Sequence, residues 1–249
     1  MIIELFGPPA SGKTTFAKAL VAALRTRGHI VHPMFSSRPA EASDGGSAGG
    51  APVSQNHGAF VRRIFRPVQE LFALTRSQSA NGTRFVSKVI GMMPPTSPVW
   101  RFRLSQYLLR LSHSWQHSAR SDHITVYDQA FVQFAGSLVL LGKPAKSEPI
   151  ANVLKGMPQA DLYIRLQAAD VVIEERLQER NRRQGPIERL LEFDLKMNLA
   201  SIGVIEQLQR TLSVLGRTIV VASSSDPAQL RRCVDAIEML LNQAKKATA

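Results

Sequence analysis

Gly7-Pro8-Pro9-Ala10-Ser11-Gly12-Lys13-Thr14 decides how the rest of the chain is read. The stretch fits G-x-x-x-x-G-K-[ST], the spacing of a phosphate-binding loop. Its flanks fit as well. Ile2-Ile3-Glu4-Leu5-Phe6 is a short, mostly apolar run that reads as a strand. From Lys13 to Arg27 the residues Phe16, Leu20, Ala23 and Leu24 recur at helical spacing. A loop between strand and helix turns its backbone N–H groups inward, and the helix N-terminus adds partial positive charge. Both favour a polyphosphate. Gly7, Pro8, Pro9, Ala10, Ser11 and Gly12, with Thr15 just beyond, would form the cradle. Lys13 would reach the β- and γ-phosphates, and the Thr14 hydroxyl would ligate Mg²⁺.

Composition narrows the setting. A chain of 249 residues suits one α/β domain with an insertion and can bury a sizeable core. Its one cysteine, Cys233, excludes an internal disulfide framework and a cysteine-ligated zinc site. With Val234, Ile237 and Leu240 it falls in an amphipathic pattern, as a small buried hydrophobe. The N-terminal apolar run enters the loop after six residues, which does not fit a signal peptide, and no apolar run is long enough to span a bilayer. A soluble, cytoplasmic protein is the expectation. The net charge of +12 is unevenly placed: residues 59–121 hold ten Lys or Arg and the single acid Glu70, a net of +9. That excess suits capture of a polyanion (a phosphorylated substrate, a nucleic acid or an acidic membrane surface), and equally a solvated helical face.

Beyond the first helix, Gly28 supplies a stop and His29-Ile30-Val31-His32-Pro33-Met34-Phe35 reads as a second strand. Pro33 places it near a sheet edge. Arg38 and Glu41 follow, where a strand opens into a ligand crevice; each is a candidate substrate contact or a surface charge. Residues 42–58, rich in Gly, Ser and Ala, read as a flexible loop. Residues 59–121 read as a helical insertion covering the substrate side. Its stripes are Val61 to Leu74, Phe85 to Ile90 and, after a Pro-rich break, Trp100 to Trp115.

His123-Ile124-Thr125-Val126-Tyr127-Asp128 is a third strand ending in a carboxylate. An apolar strand that delivers an Asp toward Mg²⁺ is the second motif of nucleotide-binding sheets, although Asp128 also reads as a plain strand-end acid. Gln129 follows it rather than a second acid, which argues against motor and transporter ATPases, and the lack of Asn-Lys-x-Asp argues against a GTPase. Gln129 and Gln133 are placed where they could face the site. Helices are expected over Phe131 to Leu141 and Ser147 to Lys155, and a fourth strand over Leu162 to Leu166. From Ala169 to Asn181 a strong helix carries Arg176, Arg180 and, just beyond, Arg183 at i, i+4 and i+7, on one face. Arg182 and Arg183 lead to Gly185-Pro186. This is the pattern of a lid over residues 176–187, or else of a solvated ion-pair network with Glu175 and Glu179. A long helix over Ile187 to Leu212, a fifth strand over Thr218 to Ala222, a loop from Ser223 to Asp226 and a last helix from Pro227 to about Ala244 complete the chain, with a frayed tail.

The order of these marks resembles the thymidylate kinase-like and deoxynucleoside kinase-like branch of the P-loop kinases. A P-loop follows strand 1, an Asp ends strand 3, an Arg-rich lid follows strand 4 and a Ser-rich loop follows strand 5. The resemblance covers roughly the first 40 residues and Ile124 to the C-terminus, and does not extend to the segment between. It implies a single three-layer domain over residues 1–249, with a five-stranded parallel sheet in the order 2-3-1-4-5 and the basic helices inserted between strands 2 and 3. It implies phosphoryl transfer from MgATP to an acceptor. Lys13 and the loop would then hold the donor phosphates, and Thr14 and Asp128 the Mg²⁺. Arg176, Arg180, Arg182 or Arg183 would stabilise the transferring charge, and the loop from Ser223 to Asp226, with Ser224 and Asp226 as contacts, would flank the adenine. Relatives often dimerise, so a homodimer is a possible assembly. The chain also departs from the pattern. Ser37-Arg38-Pro39-Ala40 half matches the Arg-Glu-Pro-Gly of thymidylate kinases, and Asp128-Gln129-Ala130 lacks the Arg that helps hold the acceptor. An acceptor other than thymidylate is favoured.

The expected function is therefore an ATP-dependent kinase of a nucleotide, nucleoside or other small hydroxylated metabolite. Asp128 would organise Mg²⁺ or take the acceptor proton, and Arg38, Glu41 and Gln129 would be substrate contacts. The basic segment also suits a kinase for a polymer or carrier, such as a nucleic acid end or a glycan precursor. The missing Arg also suits a non-catalytic ATP-binding regulatory protein.

Overall fold

The computed structural model describes residues 1–35, 80–142, 147–183 and 195–248. Its strands are β1 (Ile2–Phe6), β2 (Val31–Met34), β3 (Ile124–Tyr127), β4 (Leu162–Gln167) and β5 (Ile219–Ser223). They form one sheet in the order β2-β3-β1-β4-β5, every pairing parallel. This is the order the resemblance implies. Among the described residues the helices are α1 (Lys13–Thr26), α2 (Ala80–Met92), α3 (Pro98–Ala119), α4 (Phe131–Leu141), α5 (Ser147–Gly156), α6 (Asp170–Arg183), α7 (Leu195–Val214) and α8 (Pro227–Thr248).

Parallel strands need helical crossovers, which cover both faces and make the central strands apolar throughout. Strand β1 is buried at all five positions. On one face Ile3, Leu5, Val126, Ile164 and Leu166 pack against Phe16, Leu20 and Leu24 of α1 and Cys233 and Ile237 of α8. On the other, Ile2, Phe6, Tyr127 and Tyr163 meet Leu108 and Trp115 of α3, Phe131 and Phe134 of α4, and Leu208 of α7. Pro33 sits in β2, which is the sheet edge, where the absence of an N–H costs no second ladder bond.

Three boundaries move. Strand β2 begins at Val31, later than His29. Helix α6 carries Arg182 and Arg183 within it rather than beyond its end. Helix α8 runs to Thr248, so the tail expected to fray continues the helix. Gln243, Ala244, Lys245, Lys246 and Ala247 are all good helix formers. The readings at 42–58, at the first stripe of 59–121 and at the Gly185-Pro186 hinge lie outside the described residues. No helix among the described residues is long and apolar enough to cross a membrane.

Candidate functional site

The site is built where β1, β3 and β4 end on the same side of the sheet. Strand β1 runs into the loop, and the loop closes at Gly12, the N-cap of α1, with φ 89°. A side chain is doubly excluded there. The backbone is left-handed, and a Cβ would lie 2.4 Å from the Ser224 hydroxyl. Ser224 uses that proximity to donate to the Ser11 carbonyl at 3.1 Å, so the loop after β5 is tied to the phosphate loop. Ala10 also holds a positive φ, 62°, and its carbonyl is pinned by Arg176 Nη1 from α6 at 3.0 Å.

Lys13 is almost wholly buried, and its ammonium donates to the carbonyls of Gly7 at 2.9 Å and Pro8 at 2.8 Å. The cation is thus parked on the loop's own dipoles. Phosphate oxygens would replace those carbonyls with charge-assisted partners, about twice as strong. Ser11 Oγ is buried with no partner among the described residues, a hydroxyl inside the cradle left for an anion to satisfy. At the first turn of α1, Thr14 Oγ1 donates to Asp128 Oδ2 at 2.9 Å. Asp128 has no solvent exposure in this state and comes from the end of β3. Two hard oxygen donors, one hydroxyl and one carboxylate, therefore meet at the mouth of the loop, and that donor set fits Mg²⁺. No cluster of three or more His, Cys, Asp or Glu that could hold a metal occurs among the described residues, so a metal here would share its shell with phosphate oxygens and water.

A cleft of about 430 Å³ opens above these groups, lined by Ala10, Gly12, Lys13, Thr14, Thr15, Gln129, Arg176, Arg180, Ser224 and Ser225. Sequence-derived candidates converge here from four separate segments. Arg176 and Arg180, one helical turn apart on α6, supply cations on one wall, and Gln129 supplies an amide. Gln133, in the first turn of α4, accepts the Gly7 N–H at 3.4 Å.

Two candidates are engaged elsewhere. Arg182 is largely exposed and sits 3.8 Å from Glu179, on another side of α6 from Arg176. Asp226 caps α8: it accepts the Ala228 N–H at 2.8 Å and the Gln229 side-chain amide at 2.9 Å. Arg183 lies at the end of α6, while Arg38 and Glu41 fall outside the described residues. Two site residues escaped the sequence reading. Ser225 lines the cleft as part of a loop in which only Ser224 and Asp226 were singled out. Glu4 is fully buried beneath the site. Its signal was present as the one acid in a strand otherwise apolar from Ile2 to Phe6.

No protein-family model matches the chain, and no curated protein matches it significantly. Among solved structures, the chain is similar to deoxyadenosine kinase from M. mycoides with bound dATP. Identity is 12%, the match covers 96% of this chain and 100% of that one, and the TM-score is 0.47. The same kinase with bound dCTP gives 11% identity, coverage of 98% and 100%, and a TM-score of 0.44.

Proposed function

We propose that the protein is a MgATP-dependent phosphotransferase acting on a small hydroxylated acceptor of the nucleoside or nucleotide class. The observation that carries this reading is the 2.9 Å contact between Thr14 and Asp128 at the mouth of a formed phosphate loop, faced across one cleft by Arg176 and Arg180. A binding loop alone would account for Lys13 and Thr14. Arginines on a separate helix above the loop add positive charge where a phosphoryl group would be in flight, which is the requirement of transfer rather than of storage.

In this reading the loop amides and Lys13 hold the β- and γ-phosphates. Thr14 and Asp128 hold Mg²⁺, which supplies charge neutralisation on the phosphate oxygens. Arg176 and Arg180 offset charge on the transferring group, and Gln129 lies on the acceptor side. The chain supplies position and electrostatics, and little covalent work is required of it. Arg183, Arg38 and Glu41 are proposed as further ligand contacts.

The test is ADP release from MgATP across nucleosides, nucleoside monophosphates, sugars, polyols and short oligonucleotides, with Asp128→Asn run beside the wild type. Release that depends on a nucleoside or nucleotide acceptor and is lost in the variant supports the proposal. ATP binding with no acceptor-dependent release would replace it with a regulatory, non-catalytic role. A second reading, a polymeric or carrier acceptor, draws on residues 80–121, which carry Arg84, Lys88, Arg101, Arg103, Arg110 and Arg120 and no acid. It requires oligonucleotide or other polyanion binding that weakens steeply with salt.

A further inference from the structure

Glu4 occupies the middle of β1 with no solvent exposure. Burying a carboxylate in a central strand costs several kcal/mol, to order of magnitude, unless hydrogen bonds answer it. Its lateral neighbours do not. Glu4 is in register with Tyr127 on β3 and with Tyr163 on β4. The Tyr127 hydroxyl is engaged with the Ser114 and Ser118 hydroxyls at 3.0 and 2.9 Å, and the Tyr163 hydroxyl accepts the Ala160 N–H at 3.0 Å. What answers Glu4 is the start of α4: Oε1 accepts the Val132 N–H at 2.6 Å. Oε2 has no partner among the described residues.

That one bond has reach. Helix α4 begins immediately after Asp128-Gln129-Ala130, so whatever fixes Val132 fixes the turn that presents Asp128 to Thr14 and Gln129 to the cleft. One residue on, Gln133 holds the Gly7 N–H. Glu4 thus links the strand that feeds the phosphate loop to the helix that feeds the carboxylate turn, from underneath both. We propose that Glu4 is a positioning residue for phosphate transfer, anchoring the first turn of α4 so that Asp128 meets Thr14. This rests on the function proposed above.

Burial pushes the Glu4 carboxyl up to about 8, against the opposing pull of the backbone amides of Val132, Gln133, Phe131 and Ala130. At neutral pH the anchor is largely a neutral acid. The groups around it are Tyr107 from α3, Tyr127 from β3, Tyr163 from β4 and Asp128 from the turn, with Arg110 acting on Tyr107. Burial raises Tyr107, and it pushes Tyr163 up to about 12, so neither of these phenols changes charge near pH 8. Ionised Glu4 would add a second negative charge to the layer that already holds Asp128.

Hydrogen exchange over residues 129–134 and the Mg²⁺-dependence of ATP affinity should be measured for the wild type, Glu4→Leu and Glu4→Gln. Glu4→Leu is expected to speed exchange over 129–134 about tenfold while α1 and α8 keep their protection. It should also lose about tenfold of the affinity that Mg²⁺ adds, a larger loss than in metal-free ATP binding. Glu4→Gln, which keeps an acceptor for Val132, is expected to rescue both. Above pH 8 the wild type should lose protection over 129–134, and Glu4→Gln should not. Unchanged exchange in this segment, or loosening spread evenly over the molecule, would overturn the proposal. Should Glu4→Leu fail to fold, the pH comparison of wild type with Glu4→Gln decides alone. A wild type that binds no MgATP would defeat the proposed function, while the exchange result would still judge the anchor.

Discussion

The two faces of the sheet are made by different rules. Against α1 and α8 the strands offer Ile3, Leu5, Ile124, Val126, Leu162, Ile164 and Leu166, without one polar side chain. Against α3, α4 and α7 the same three strands offer Glu4, Thr125, Tyr127, Tyr163 and Arg165 among their apolar neighbours. An apolar face asks only for shape, since each side chain gains from leaving water whatever it meets. A polar face must find a partner for each group, and the partners fix how the helices sit. Among the described residues the partnering is incomplete at Glu4 Oε2 and Arg165 Nε. The apolar face supplies stability, and the polar face supplies placement.

That division can be broken by variants that respect or violate it. The largest effect is expected at Lys13. Its ammonium donates to two loop carbonyls and lines the cleft. Lys13→Ala should lower phosphoryl transfer about a thousandfold or more and leave thermal unfolding near wild type; transfer at wild-type rates would remove the mechanism. Leu20→Ala is the opposite case. Leu20 is fully buried on the apolar face, so its truncation should cost about 3 kcal/mol in denaturant unfolding while ATP affinity, measured where the protein is folded, stays the same. A loss of affinity without loss of stability would show that the apolar face also places the site.

Glu4 gives a third, intermediate effect, read through pH. Its folded pKa is about 8 against an ordinary 4.5, so between those values the native state holds a proton that the unfolded state has released. Stability from this group is therefore complete below pH 4.5 and is lost as pH rises toward 8. Between pH 6 and 7.5 the wild type should lose about 2 kcal/mol relative to Glu4→Gln, in which this slope is absent. Equal slopes in the two proteins would mean that the Glu4 carboxyl is answered by something other than the α4 amides.

How far the sequence revealed each region follows from the same division. The apolar face was legible because burial leaves a periodic trace: Phe16, Leu20 and Leu24 announce α1, and Cys233 with Val234 and Ile237 announces the buried side of α8. The phosphate loop was legible because its spacing is rigid, and Gly12 shows why, with both its φ and its distance to Ser224 excluding a Cβ. Pro33 marked the edge strand through its missing donor. The polar face was less legible. Partners such as Glu4 and Val132 are 128 positions apart, and neither residue type predicts the other. Asp226 was read toward the nucleotide because its loop follows β5, yet the same side chain is a good N-cap and is spent on α8. Spacing within Arg176, Arg180 and Arg183 placed the first two on the cleft wall, whereas Arg182, off that face, meets Glu179.

The smallest effect is expected at Tyr127, and it asks whether every polar group on the placing face matters alike. Its hydroxyl sits between Ser114 and Ser118 on α3, Tyr127 is not among the residues that line the cleft, and its ring packs on Trp115 at 5.0 Å between centroids. Tyr127→Phe keeps the ring and its burial. The two serines left behind can each turn to the backbone carbonyl four residues earlier on the same helix, as Ser112 already does with Leu108 at 2.8 Å. The net cost should then be about 1 kcal/mol or less in unfolding, with no change in the Mg²⁺-dependence of ATP affinity. A larger loss, or any loss confined to the nucleotide site, would mean that the Tyr127–Glu4–Tyr163 row acts as one unit. Placement would then depend on the whole row rather than on the single bond from Glu4 to Val132.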